Sequence, residues 1–195
     1  MRDQETERRG SQSNNASAEL LRIRSFRRHG DVDALIAELA SPAQDPPIVV
    51  RGAAARALGH LGDTRATRPL LKLLDDDNEG VRATAAQALG ELGDNAAASV
   101  LRRSASEDPS PVVRSWAAHA LGSMRDRQAV PVLIVSLRDD DFRVRRAAAV
   151  ALANIGDERA IPPLERARAA EPWWRRRALT KACRTIARRH TTKTS

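Results

Sequence analysis

The chain has 195 residues, room for one domain or two small ones. Its 42% hydrophobic and 30% charged residues exclude a wholly disordered polymer. An aromatic content of 3%, with two Phe, three Trp and no Tyr, argues against an all-β sandwich or barrel. Thirty-three Lys and Arg against 25 Asp and Glu give a net charge of +8, and the position of that excess matters more than its size.

Residues 1–16 are polar, lack the apolar core of a secretory signal and are expected to be a disordered tail. Residues 17–29 (SAELLRIRSFRRH) read as a capping helix. Gly30-Asp31 then opens Val32–Ala40, a shortened second helix, and the loop Ser41–Pro47 completes a cap spanning 17–47. From there the chain repeats itself. Val50-Arg51, Val81-Arg82, Val113-Arg114 and Val144-Arg145 recur at spacings of 31, 32 and 31 residues, with a degenerate copy at Trp174-Arg175. A period of this length is the signature of stacked supersecondary units, here 48–80, 81–112, 113–143 and 144–171.

Each unit reads as a helical hairpin. After Val-Arg comes an apolar stripe at i, i+3, i+4, i+7, such as Ala85, Ala88, Leu89 and Leu92 or Ala148, Ala151, Leu152 and Ile155. Gly62-Asp63, Gly93-Asp94 and Gly156-Asp157 then supply a left-handed stop and an N-cap for the second helix. The third unit has Arg125-Asp126, which predicts a strained turn. Second helices follow on Ala66 and Leu70, Ala97 and Leu101, Ala129 and Leu133, and Ala160 and Leu164. Acidic loops at Asp75–Asp77, Glu107-Asp108 and Asp139–Asp141 lead to the next unit and are expected to cap it. One hairpin cannot bury its own apolar face, so the units must stack into an all-α solenoid. The small Ala side chains permit close stacking, and without a thick central core few aromatic residues are needed.

The blocks VRATAAQALGELGD (81–94) and VRRAAAVALANIGDERAIPPL (144–164), with weaker copies at 50–63 and 113–126, resemble HEAT repeats of the short subgroup named after phycobilisome-linker and phycobilin-lyase proteins. The resemblance covers about 145 residues. It implies an armadillo-type superhelix, a structural role for repeated Arg and Asp residues, and a partner surface on the second helices. It does not imply an activity.

Three features are candidates for function. The ladder Arg51, Arg82, Arg114, Arg145 and Arg175, beside Asp63, Asp94, Asp126 and Asp157, is either a phosphate-binding rail or a set of inter-unit bonds that fixes stacking, and the second reading is preferred. The second-helix face carries Arg68, Leu71 and Lys72, then Arg102 and Arg103, then Ile134, Val135 and Arg138, then Glu165, Arg166 and Arg168. This mixture of cations with exposed aliphatics at Leu71 and Ile134 suits a protein partner of acidic character. The third feature is the closing helix, expected over 172–190 with Pro172 at its first position and a short tail 191–195 behind it. Residues 172–195 hold eight cations and no acid. Removing those eight leaves 25 basic and 25 acidic residues, so the whole excess lies at this end. Arg177, Lys181, Arg184 and Arg188 follow i, i+4, i+7, i+11 and form one face, either a contact for an anionic partner or the polar outer face of a soluble cap, while Leu179, Ala182, Cys183 and Ile186 form another that can dock on the last unit. Trp173-Trp174 could stack on bases or sit at a lipid interface beside the Arg run, but sealing the core beneath the last turn is the preferred expectation.

Other residues point to packing. Trp116 aligns with Ala53, Thr84 and Ala147 and reads as a gap filler, and Cys183 as an inert packing residue. His60 and His119 lie two units apart, and the His-Glu pairs of the HEAT-like deoxyhypusine hydroxylases do not appear. With one cysteine, no cysteine metal site or intramolecular disulfide forms. No apolar run is long enough to span a bilayer, and the chain reads as cytoplasmic. The expectation is a non-catalytic scaffold without cofactor or metal, binding a protein along the second-helix face. A nucleic-acid binder gripping through the basic helix and a phycobilin-lyase-like subunit are the alternatives.

Overall fold

The computed structural model describes residues 17–40 and 46–191; the expected N-terminal tail, part of the Ser41–Pro47 loop and residues 192–195 lie outside them. The described residues form a helical solenoid. A capping pair, α1 (17–29) and α2 (Val32–Ala40), precedes four hairpins: α3 (Ile48–Leu61) with α4 (Thr67–Lys72), α5 (Glu79–Leu92) with α6 (Ala98–Glu107), α7 (Pro111–Ser123) with α8 (Val130–Ser136), and α9 (Phe142–Ile155) with α10 (Ile161–Ala170). Helix α11 (Arg177–Thr191) closes the stack.

Each second helix is entered through a 3-10 turn, and the predicted capping explains why. Asp63, Asp94, Asp126 and Asp157 accept from the backbone N–H two residues on, at 2.9–3.0 Å, holding the chain in a tight turn before the α-helix starts. The caps of the first helices depart from expectation in part. Asp141 caps α9, but Asn78 and Ser110 cap α5 and α7. The preceding loop acids are turned to other work, described below.

The core is a double column of leucines. Leu58, Leu89, Leu121 and Leu152 from the first helices meet Leu70, Leu101, Leu133 and Leu164 from the second, all fully buried. Each such side chain contributes roughly 1.5–3 kcal/mol by leaving water. The first helices form a tightly packed layer through one position in each unit. A Cβ built on Gly59 would lie 2.7 Å from Ala88 Cα, on Gly90 2.7 Å from Ala120 Cα, and on Gly122 2.5 Å from Ala151 Cα. These glycines precede the left-handed turn residues Gly62, Gly93 and Arg125 by three residues and permit backbone-to-backbone approach. In the last unit the position is Ala153, and its neighbour α11 meets α9 differently: Arg189 Nη1 donates to the carbonyls of Ala153 and Asn154 at 3.0 and 2.9 Å.

The turn glycines Gly62, Gly93 and Gly156 adopt φ of 71°, 68° and 76°. Arg125 takes the same left-handed conformation at φ 54°, confirming the predicted strain, which costs about 1–2 kcal/mol for a residue with a Cβ.

Candidate interaction surfaces

The repeated arginines are rivets of the stack and are not free to bind a ligand. Arg51 meets Asp76 through Nε and Nη2 at 2.7 and 2.9 Å, Arg82 meets Asp108 at 2.9 and 3.1 Å, Arg114 meets Asp139 at 2.8 and 2.9 Å, and Arg145 Nε donates to Glu171. The remaining Nη1 of each donates to a carbonyl of the preceding loop, such as Asp76 O for Arg82 and Asp108 O for Arg114. Each guanidinium therefore ties two successive inter-unit loops together. The four arginine side chains are only 13–18% exposed. The inter-unit role expected of the ladder holds, with different partners: the acids that hold these arginines come from the loops after the second helices, while the turn aspartates use one oxygen as caps. Burial, the largest single influence, would raise the carboxyls of Asp76 and Asp139, but the hydrogen bonds and charge of Arg51 and Arg114, together with backbone N–H bonds from Asn78 and Asp141, outweigh it and hold both below the usual carboxylate range.

The fifth rung is Arg176, not Arg175. Arg176 lies 31 residues after Arg145 and its Nε donates to Glu171 O at 2.7 Å. Arg175 is displaced to the surface and stacks on the Phe142 ring, 4.7 Å from its centroid.

On the second-helix face, Arg68, Lys72, Arg103, Arg138 and Arg166 are exposed. Lys72, Arg103, Val135 and Arg166 share one register position and form a row along the stack; Arg103 also lies 3.7 Å from Asp75 of the preceding unit. Three expected contact residues differ. Arg102 is half-buried and donates to Asp126 at 2.7 Å, an inter-unit bond like that of Thr67 Oγ1 with Asp94 at 2.7 Å. Leu71 and Ile134 are half-buried against the core, because their register position turns inward. The exposed aliphatic is Val135, 68% accessible. Between α8 and α10 the structure forms a groove of about 530 Å³ that gathers Ile134, Arg138 and Arg166, with the Arg145–Glu171 pair also in its wall.

Helix α11 starts at Arg177, five residues later than expected, because Trp173–Arg175 form a 3-10 turn behind Pro172. Its apolar face docks as predicted: Leu179, Ala182 and Ile186 are buried. Cys183 is half-buried beside them, and burial pushes its thiol above the ordinary value. On the opposite side Arg177, Lys181, Arg184 and Arg188 are exposed. The tryptophans do not seal the core. Trp173 is 77% exposed and Trp174 63%, packed edge-to-face on each other at 5.7 Å. Ile186 and Leu179 already fill the space against the last unit, and the 3-10 turn carries both indoles outward. Trp116, by contrast, is half-buried against the core beside His119.

Among the described residues no three His, Cys, Asp or Glu side chains converge on a point where a metal ion could sit. His60 contacts Glu91 of the next unit at 2.9 Å. No helix among them is long and apolar enough to cross a membrane.

The family model for HEAT repeats matches residues 32–122 and 104–184. The chain belongs to the HEAT repeat family. No curated protein matches it. Among solved structures, a chain from the complex of CpcE and CpcF of phycocyanin lyase from Nostoc sp. PCC7120 is similar at TM-score 0.64 and 25% identity, over 77% of this chain and 96% of that one. A designed armadillo repeat protein in complex with the peptide (KR)4 is similar at TM-score 0.62 and 19% identity, over 89% and 90% of the two chains. The second likeness concerns the fold alone. In this HEAT chain, the outward position of the Trp pair was hard to find in the sequence for one reason. Exposure at a helix end depends on the angle at which the unit leaves its turn, which repeat periodicity does not encode.

Proposed function

We propose that this HEAT chain is a non-catalytic scaffold that docks an acidic protein along its second-helix face, with the cationic face of α11 as a separate anion-directed contact. The reading rests on one contrast. The buried repeat arginines are consumed by structure, whereas Lys72, Arg103 and Arg166 recur at one register position and stand exposed around Val135. These three cations, in three of the four units, present a row of like charge to an extended acidic surface. The similarity to a chain from a complex of two polypeptides, CpcE and CpcF, supports a protein as the partner class. A cytoplasmic setting belongs to the same proposal.

The test is affinity capture from source-cell extract with the full chain and with Lys72→Glu/Arg103→Glu/Arg166→Glu, followed by quantitative mass spectrometry. The reading expects specific proteins retained by the parent and lost from the variant, at unchanged helicity. An identical set on both defeats it. The CpcE–CpcF likeness also favours a second reading, a subunit of a bilin lyase. Covalent attachment of a bilin to an apoprotein only when this chain is present would support that reading against the scaffold.

A further inference from the structure

Helix α11 carries cations even at the end where a helix least tolerates them. Arg175, Arg176 and Arg177 crowd its N-terminal end, and no acid occupies its first turn. The helix dipole is positive there, so acids stabilise this end and cations oppose it. A terminal unit needs a polar outer face, but not one of a single sign. The unfavourable placement is offset when an anion binds. Beside it stand two exposed indoles, Trp173 and Trp174.

These groups line two grooves. One, about 530 Å³, runs along the outer side of α11 past Trp173, Arg177, Lys181 and Arg184. The other, about 510 Å³, lies between α9 and α11 and includes Trp174 together with Arg177 and Lys181. Arg177 and Lys181 thus serve both, with one indole at each. From Arg177 to Arg188 the cationic face extends about 16 Å at the helical rise.

We propose that this end binds single-stranded nucleic acid, with phosphates along Arg177, Lys181 and Arg184 and unpaired bases stacked on Trp173 and Trp174. Cationic tracks joined to exposed aromatic rings are the recurrent means of holding single strands. An anionic membrane fits less well, because an interfacial helix must insert an apolar face, and here Leu179, Ala182 and Ile186 are already buried against the solenoid. Duplex DNA offers no unstacked base to the indoles. The inference names the ligand of the α11 contact in the proposed function, and it does not depend on the second-helix face.

The test is fluorescence anisotropy of a labelled oligothymidylate titrated with the full chain. The probes for comparison are an abasic strand of equal length, a duplex, polyglutamate, and vesicles of mixed phosphatidylcholine and phosphatidylserine. Three phosphate contacts predict a slope of log affinity on log salt near −2, from about −0.7 per contact on single strands. Trp173→Ala/Trp174→Ala should weaken binding to the oligothymidylate about tenfold or more and leave the abasic strand unaffected. Arg177→Gln/Lys181→Gln/Arg184→Gln should remove most of the salt dependence. Both variants alter exposed side chains, and circular dichroism checks that they stay folded. Lys72→Glu/Arg103→Glu/Arg166→Glu should bind the strand as the parent does, which separates this inference from the scaffold reading. The inference is overturned by absence of binding at low salt, by equal affinity for the abasic strand or polyglutamate, by preference for the duplex or the vesicles, or by indifference to the tryptophan substitutions.

Discussion

Two glycines in equivalent first helices should respond with opposite signs to the same substitution. Gly52 lies within α3 with nothing within 4 Å of a built Cβ, whereas a Cβ on Gly122 in α7 would lie 2.5 Å from Ala151 Cα and 2.7 Å from its Cβ. Alanine is favoured over glycine in a helix by about 1 kcal/mol. Gly52→Ala should realise most of that gain. At Gly122 the same gain is opposed by overlap with backbone, which no rotamer change relieves. Restoring ordinary contact requires α7 and α9 to part by about 1 Å, at an overpacking cost in the upper part of the 1–3 kcal/mol range. The net expectation is a loss of about 1–2 kcal/mol for Gly122→Ala. Near 2–4 °C per kcal/mol for a chain of this size, Tm should fall by about 2–8 °C for Gly122→Ala and rise by about 2–4 °C for Gly52→Ala. Thermal unfolding followed at 222 nm reads both. A neutral or stabilising Gly122→Ala would refute the close approach of the first-helix layer, and with it the reason the position is glycine in three units.

Arg125→Gly should stabilise by about 1 kcal/mol by relieving the left-handed strain at φ 54°, whereas Arg125→Ala should not; paired melting curves distinguish them. Arg114→Met leaves the carboxylate of Asp139, its side chain 13% exposed, without its bidentate partner and should cost about 2–3 kcal/mol by urea denaturation, against less than 1 kcal/mol for the exposed Arg68→Met. Stability should also fall in acid. Asp157 and Asp141 are lowered to about 2, first by side-chain hydrogen bonds from Arg159 and Arg143, and Asp76 and Asp139 are lowered as well. Unfolded carboxyls titrate near 3.9, so between roughly pH 4 and 2 the unfolded chain binds protons that the folded one refuses. The stabilisation is complete above that window and lost as pH descends through it. Urea midpoints unchanged from pH 7 to pH 2 would count against the carboxylate network.

The sequence alone determined what depends on neighbours within one unit. The Val-Arg period, the Ala-Leu stripe and the Gly-Asp stop are local signals at fixed spacing, and they specify hairpin, turn and stack before any contact is known. The strain at Arg125 was legible for the same reason: three glycines at one register position define the backbone it must adopt. The segregation of charge to residues 172–195 needed only counting. Tertiary structure decided what depends on distance between units. The choice of Asp76, Asp108, Asp139 and Glu171 as partners of the repeat arginines Arg51, Arg82, Arg114 and Arg145, in place of the turn aspartates, follows from how far successive loops stand apart. The inward turn of Leu71 and Ile134 and the exposure of Trp173 and Trp174 follow from the angle at which each helix leaves its 3-10 turn. A periodic sequence fixes which residues are equivalent, but a rotation of part of a turn, set by packing against the neighbouring unit, decides which of them meet water.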